Sequence, residues 1–286
     1  MKKIIGQGRD SIVYACEDNE HIIKKSKKKG INIIELFIKM NLRENEIMTS
    51  EDVEIDENNH TQIKEKKGMN IMKCLKKKSF EKKKELCKDI CLGIYHLHKY
   101  KILHGDIKPL NIILHNKIAK INDFSCSKIL SDTYKLRNNC YTNLYRPNDK
   151  YLSLKSDIFA LGCTIYEILR EETLFQELGN DRIKCFQKLE DVNMNKLILS
   201  MIREDENERP SIYEVLDFFG IKKEEKNNSN LDEIIYEYCE DKELNIKEIF
   251  ENINYGIPLK NKKIIKTFIE DNYNFLEIRK IKKKKS

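Results

Sequence analysis

The chain has 286 residues, 40% of them hydrophobic and 35% charged, which suits one large or two-lobed domain with a sizeable core and a heavily solvated surface. Its net charge of +7 rests on 54 Lys and Arg against 47 Asp and Glu, with the signs mixed along the chain, so it reads as a solvated surface rather than a nucleic-acid footprint. No apolar run reaches the length of a membrane span, and the nine cysteines are scattered without a C-x-x-C pair, so neither a membrane span nor a zinc set is expected. The expected setting is intracellular and reducing, cytoplasmic or nuclear.

In chain order, residues 1–25 alternate short apolar runs around Gly6 and Gly8, predicting a β-hairpin that leads to a third strand at His21-Ile22-Ile23-Lys24. Ile33, Ile34, Phe37, Ile38 and Leu42 recur at helical spacing over 31–42, and 47–67 is weakly strand-like. Leu86, Ile90, Leu92, Ile94, Tyr95 and Leu97 predict a long helix over 80–101. Short strands follow at Ile112-Ile113-Leu114 and Ile118-Ala119. A buried helix is expected over 156–170, with Ser156 as N-cap and Asp157 in the first turn. The polar run 222–230 reads as a linker, 231–278 as further helix, and Lys280 to Ser286 as a charged tail. That tail suits a nuclear import signal, an acidic-surface contact or plain solvation equally well. Strands first and helices afterwards predict an α+β chain, with a small β-rich lobe over about 1–67 and a larger helical lobe over about 68–221.

The strongest local pattern is His104-Gly-Asp-Ile-Lys-Pro-Leu-Asn111, followed twelve residues later by Asp123-Phe-Ser125. These residues resemble the H-R-D-x-x-x-x-N and D-F-G motifs of the eukaryotic protein kinase family, and Lys108, two after the aspartate, resembles its serine/threonine branch. The resemblance implies a bilobal kinase-like fold and an enzyme that moves phosphate from ATP, with magnesium, onto a protein hydroxyl. Asp106 is then the catalytic carboxylate and Lys108 the catalytic cation, while Asn111 and Asp123 are the magnesium ligands.

Further matches extend the likeness to about residues 1–220. Ile5-Gly6-Gln7-Gly8, Ser11 and Val13 resemble the Gly-rich loop over ATP, and Ile113 falls where the family lines the adenine. Ile22-Ile23-Lys24 resembles V-A-I-K, so Lys24 should hold phosphate oxygens and pair with a helix glutamate. Glu35 is the candidate for that ion pair, with Glu44 and Glu46 as competitors; Lys39 falls where the family buries an apolar side chain. Tyr141 to Asn148 resembles the substrate loop ending in A-P-E, and Asp157-Ile-Phe-Ala-Leu-Gly162 resembles D-x-W-x-x-G, which implies that a buried Asp157 holds the catalytic loop's backbone. Tyr145-Arg146 and the stretch Asp157 to Cys163 look somewhat like the group of cyclin-dependent and related kinases.

Four positions depart from the pattern. Gly105 replaces the arginine that meets a phosphate on the activation loop, so activity is expected not to depend strongly on such a phosphate. Ser125 replaces the D-F-G glycine and is expected to restrict that segment, because serine tolerates positive φ poorly. Asn148 replaces the glutamate that would pair with Arg209; Asp149 substitutes if the loop carries one extra residue. Ile22 replaces a small residue above the adenine. Cys126 reads as an inert thiol rather than a reactive one, and His96 and His98 do not share a helix face for a metal. A pseudokinase or scaffold is the alternative function, set against the intact catalytic residues. A small-molecule kinase is disfavoured by the substrate-loop likeness. Expected partners are ATP, protein substrates and a regulatory partner through 231–286, with no membrane.

Overall fold

A computed structural model describes residues 3–8, 11–29, 34–35, 38–39, 42, 46–48, 50–55, 60–130, 136–137, 141–174 and 186–223. The chain opens with β1 (Lys3–Gln7), β2 (Ser11–Ala15) and β3 (His21–Lys29), followed by β4 (Ser50–Ile55) and β5 (His60–Lys66). These five strands form an antiparallel sheet in the order β1-β2-β3-β5-β4. Ile34, Glu35, Ile38 and Lys39 are helical and buried, so the face predicted from Ile34 and Ile38 is formed. Ile33 and Phe37, and the linker and extension expected beyond Lys223, lie outside the described residues.

Ladder register decides what this sheet presents. Gly6 pairs with Val13, Val13 with Lys24 and Lys24 with Ile63, so these four residues form one row across four strands. Residues directly opposite in an antiparallel pair project from the same face. The glycine backbone of β1 and the Lys24 side chain therefore belong to one side of the sheet.

The second lobe is built on α1 (Ile71–Leu75), α2 (Phe80–His98), α3 (Leu154–Arg170), α4 (Val192–Met201) and α5 (Ile212–Phe218). Between α2 and α3 lie β7 (Ile102–Leu103), β8 (Ile112–His115), β9 (Ile118–Ile121) and β10 (Lys128–Ile129), with β6 (Met69–Asn70) pairing β8. The expected helix over 80–101 ends at His98, where Lys99 caps it through its N–H, and Ser79 caps the start by accepting from Lys82 N–H. Its apolar stripe, Leu86, Ile90, Ile94 and Leu97, is buried in the main core with Ile158, Phe159, Leu161 and Ile165 of α3. Gly162 on α3 lets α4 approach closely: a Cβ there would lie 2.8 Å from Met201 Cβ.

One boundary differs from the sequence reading. The N-cap of α3 is Ser153, not Ser156. Ser156 sits three residues into the helix, where its Oγ accepts from Ser153 N–H at 3.2 Å and donates to Asp149 Oδ2 at 2.9 Å. Asp157 attracted the assignment to the wrong serine, because a carboxylate in a first turn is a general helix-start signal, whereas here it faces inward for another purpose. The two lobes are stitched where Ile47 bridges Ile121, with Met48 N–H donating to Ile121 O and Ile121 N–H donating to Glu46 O. No helix of the described residues is long and apolar enough to cross a membrane.

Candidate active site

Two clusters of side chains meet between the sheet and the helical lobe. The first surrounds Lys24. Its Nζ donates to Glu35 Oε1 at 3.0 Å and to Asp123 Oδ1 at 2.6 Å. Glu35 is thus the glutamate that pairs with the lysine; Glu46 instead lies 3.5 Å from His96, and Glu44 falls outside the described residues. Burial alone would depress the Lys24 ammonium, but the facing charges of Glu35 and Asp123 outweigh it and hold it above the usual lysine range. Burial likewise works against ionised Asp123, and Lys24 together with a hydrogen bond from Ser125 reverses it, so this carboxyl lies well below its usual range.

The backbone turns at Asp123 rather than at Ser125. Asp123 itself is left-handed, at φ 63°, whereas Ser125 lies in a 3-10 turn and carries no positive φ. This conformation asks no positive φ of Ser125, and its hydroxyl hydrogen-bonds Asp123.

The second cluster is built on the loop between β7 and β8. Asp106 Oδ2 accepts from Lys108 Nζ at 2.6 Å, and Asp106 Oδ1 accepts from both Thr142 N–H and Thr142 Oγ1 at 2.9 Å. Lys108 Nζ also donates to Thr142 Oγ1 at 2.7 Å, closing a three-membered ring of contacts. Asn111 Nδ2 donates to Asp106 O at 2.8 Å and to Asp106 Oδ2 at 3.1 Å. His104 Nδ1 accepts from Asp106 N–H at 3.2 Å, which leaves its Nε2 to donate to Asn122 O at 3.1 Å and fixes the neutral tautomer. Asn122 N–H donates to Asn111 O, so one residue ties the Asp106 cluster to the one around its neighbour Asp123.

The remaining expected residues fall around these clusters. Ile5, Gly6 and Gln7 lie on β1 with Gly8 just beyond it, and Ser11 and Val13 lie on β2. Gly8 N–H donates to Ser11 O, and a Cβ at Gly6 would meet only Val13 at ordinary contact distance. Neighbouring atoms therefore do not require glycine at 6, which is consistent with a backbone kept open for a ligand. Ile113, on β8, packs under Gly68 in the connection between the lobes; a Cβ on Gly68 would overlap Ile113 Cγ2.

The donor set fits magnesium. The Asn111 amide commits its NH2 to Asp106 and leaves its carbonyl oxygen for a cation, while Asp123 is held ionised. Two oxygen donors suit a small hard ion that keeps phosphate and water oxygens in its shell. Among the described residues no group of three or more His, Cys, Asp or Glu forms a self-contained metal cage, and the six described cysteines are not in disulfides.

The resemblance to D-x-W-x-x-G implies that a buried Asp157 holds the backbone of the catalytic loop, and it does so through His104 and Gly105; sequence reasoning missed His98 and Tyr141 as its other donors. Asp157 is fully buried and accepts four hydrogen bonds: His98 Nε2 at 3.1 Å, His104 N–H at 2.7 Å, Gly105 N–H at 3.1 Å and Tyr141 Oη at 2.8 Å. Four donors compensate the lost hydration, and they, with the charge of His98, keep the carboxyl below its ordinary range against the effect of burial. The position of Tyr141 one residue before Thr142 was the available clue. Asp149 takes the place of the absent glutamate at Asn148. Both its oxygens accept from Arg209, Nη1 and Nη2 each at 2.7 Å, and the other donors of that buried guanidinium reach the carbonyls of Arg203, Lys155 and Glu204. The extra-residue register allowed for from the sequence is the one observed.

Comparison with known proteins agrees with this geometry. Serine/threonine-protein kinase Nek8 of Danio rerio is 34% identical over 142 residues, covering 44% of this chain and 20% of that protein. A Wee1-like protein kinase of Oryza sativa subsp. japonica is 35% identical over 143 residues, covering 46% and 27%. Serine/threonine-protein kinase Nek3 of Mus musculus is 31% identical over 137 residues, covering 43% and 27%. The chain thus aligns with about a fifth to a quarter of the length of these relatives. A family described as "Protein kinase domain" matches residues 1–219, which is well over half of the sequence, and the chain belongs to that family.

Proposed function

We propose that this protein is a serine/threonine protein kinase that transfers the γ-phosphate of ATP to a protein hydroxyl. The observation that carries the reading is the closed contact of Asp106, Lys108 and Thr142, which places a carboxylate and a cation together at the substrate loop. Asp106 orients the acceptor hydroxyl and takes its proton, and Lys108 offsets charge on the moving phosphoryl group. Lys24, fixed by Glu35, holds phosphate oxygens beneath the glycine backbone of β1. Asn111 and Asp123 would hold magnesium, which when bound neutralises charge on the phosphates. The chain's contribution is positioning and electrostatic stabilisation by groups already in place. The acceptor is a protein side chain, 1–221 is the catalytic unit, and 231–286 serves a regulatory partner.

Incubation with γ-labelled ATP, magnesium and a degenerate peptide library tests the proposal. Acid-stable label on Ser and Thr, lost in Asp106→Asn, is the expected result. Nucleotide binding without transfer to any peptide would contradict it and favour a scaffold.

A further inference from the structure

A second buried ion pair lies directly behind the first. Lys39 Nζ donates to Glu65 Oε2 at 2.5 Å and to Asn122 Oδ1 at 2.8 Å, and it stands 5.5 Å from the centre of the Phe124 ring. Both charged side chains are essentially inaccessible, 0% exposed for Lys39 and 1% for Glu65. The placement follows from local geometry. Glu35 and Lys39 are four apart, one helical turn, and so share the face turned to the sheet. Ile22 pairs with Glu65 and Lys24 with Ile63, so Glu65 and Lys24 project from the same side of the sheet as diagonal neighbours.

The result is a square of alternating charge. Lys24 faces Glu35 and Lys39 faces Glu65, while Asn122 and Asp123, adjacent in the chain, take one lysine each. A buried carboxylate must have a cationic or hydrogen-bonding partner. Were Lys39 absent, Lys24, the diagonal neighbour of Glu65 on that face of the sheet, would be the ammonium placed to meet it. Turning toward Glu65 would take Lys24 away from Glu35 and Asp123.

We infer that Lys39 is a positioning residue of the phosphotransfer site: by neutralising Glu65 and holding Asn122 it reserves Lys24 for Glu35, Asp123 and the nucleotide. This rests on the kinase reading only for its activity readout. The account also explains why a lysine is accommodated on the apolar side of this helix. Its charge is matched locally, and removing it while Glu65 stays leaves a buried carboxylate without its cation.

Steady-state kinetics of Lys39→Met and of Lys39→Met/Glu65→Leu test the inference, with Mg-ATP affinity measured by calorimetry on the same proteins. Lys39→Met should lower kcat about 100-fold and raise both the KM and the Kd for ATP about 10-fold, an order-of-magnitude expectation for displacing one essential charged contact. The double variant, which has no competing carboxylate, should return to within about 10-fold of wild type in kcat and to about the wild-type Kd. A merely structural role predicts less folded protein at unchanged KM. Unaltered kinetics in the single variant, or equal losses in two folded variants, would overturn the inference. If Lys39→Met does not fold, the comparison is Glu65→Gln against Lys39→Met/Glu65→Gln: similar kcat and Kd support the account and a 100-fold gap refutes it. If wild type transfers no phosphate, the kinase reading fails, while the order of Mg-ATP affinities still decides the role of Lys39.

Discussion

Tyr141 Oη donates to Asp157 Oδ1 at 2.8 Å, and the Tyr141 N–H donates to Gly105 O at 2.9 Å. Side chain and backbone of one residue are thus pinned to the carboxylate and the loop that carry Asp106. The next residue, Thr142, grips Asp106 itself. Tyr141 holds a left-handed φ of 67°, an unfavourable conformation for an aromatic residue, and its hydrogen bonds to Asp157, Gly105 and Arg146 offset that strain. Tyr141 thus anchors the residue that grips Asp106 to the loop behind it.

Tyr141→Phe removes the hydroxyl and keeps the ring. It is expected to cost about 1.5–3 kcal/mol of stability, as for a hydrogen bond to a charged group. Because Thr142 loosens with it, kcat should fall about 10-fold while the KM for ATP changes little. Chemical denaturation and steady-state kinetics on the same preparation check both numbers.

Gly105 has φ +79°, and a Cβ there would lie 2.6 Å from Cys126 O. Restoring the family's residue with Gly105→Arg is therefore expected to destabilise the protein by at least about 1–3 kcal/mol through backbone strain, and to lower activity rather than raise it. Thermal unfolding together with a transfer assay distinguishes this from a gain of phosphate control.

The partner of Arg209 gives a test of register. Asp149→Ala leaves a buried guanidinium without its fork of contacts and should cost about 3–5 kcal/mol. Asn148→Ala removes only an exposed contact to Glu204 and should cost under about 1 kcal/mol. Equal effects would contradict the assignment of Asp149.

Asp157 gives the fold an acid limit. Its carboxyl titrates below the ordinary range in the folded chain and near pH 4 once unfolded, so unfolding takes up protons on the acid side. The stability it contributes is complete above about pH 4–5 and declines as pH falls. Asp157→Asn should flatten the dependence of unfolding free energy on pH between about 5 and 3, while lowering stability at neutral pH. A profile parallel to that of wild type would remove Asp157 from this role.

Much of this was legible in the sequence because it rests on periodicity and spacing. The apolar stripe from Leu86 to Leu97 and the interval from Asp106 to Asn111 and Asp123 are properties of short stretches. Lys24 with Glu35 is named from the family resemblance, with Glu44 and Glu46 as competitors, and the contact is made by Glu35. Lys39 with Glu65, and Tyr141 with Asp157, were not legible as pairs. Each joins residues 26 and 16 positions apart through a tertiary contact that no local pattern encodes. The mistaken cap at Ser156 has the same origin, since Asp157 is held by His98 and the backbone of the catalytic loop, not by the helix end.

The most direct measurement is the initial rate of phosphate transfer by phosphatase-treated protein, verified free of phosphate by intact mass, beside the same protein carrying Asp106→Asn. Transfer to Ser or Thr at the untreated rate, falling about 100- to 10,000-fold in the variant, is the predicted result. Loss of activity on phosphatase treatment that a single phosphate on the activation loop restores, or transfer that survives Asp106→Asn, would contradict an active site assembled by Tyr141 and Thr142 around Asp106.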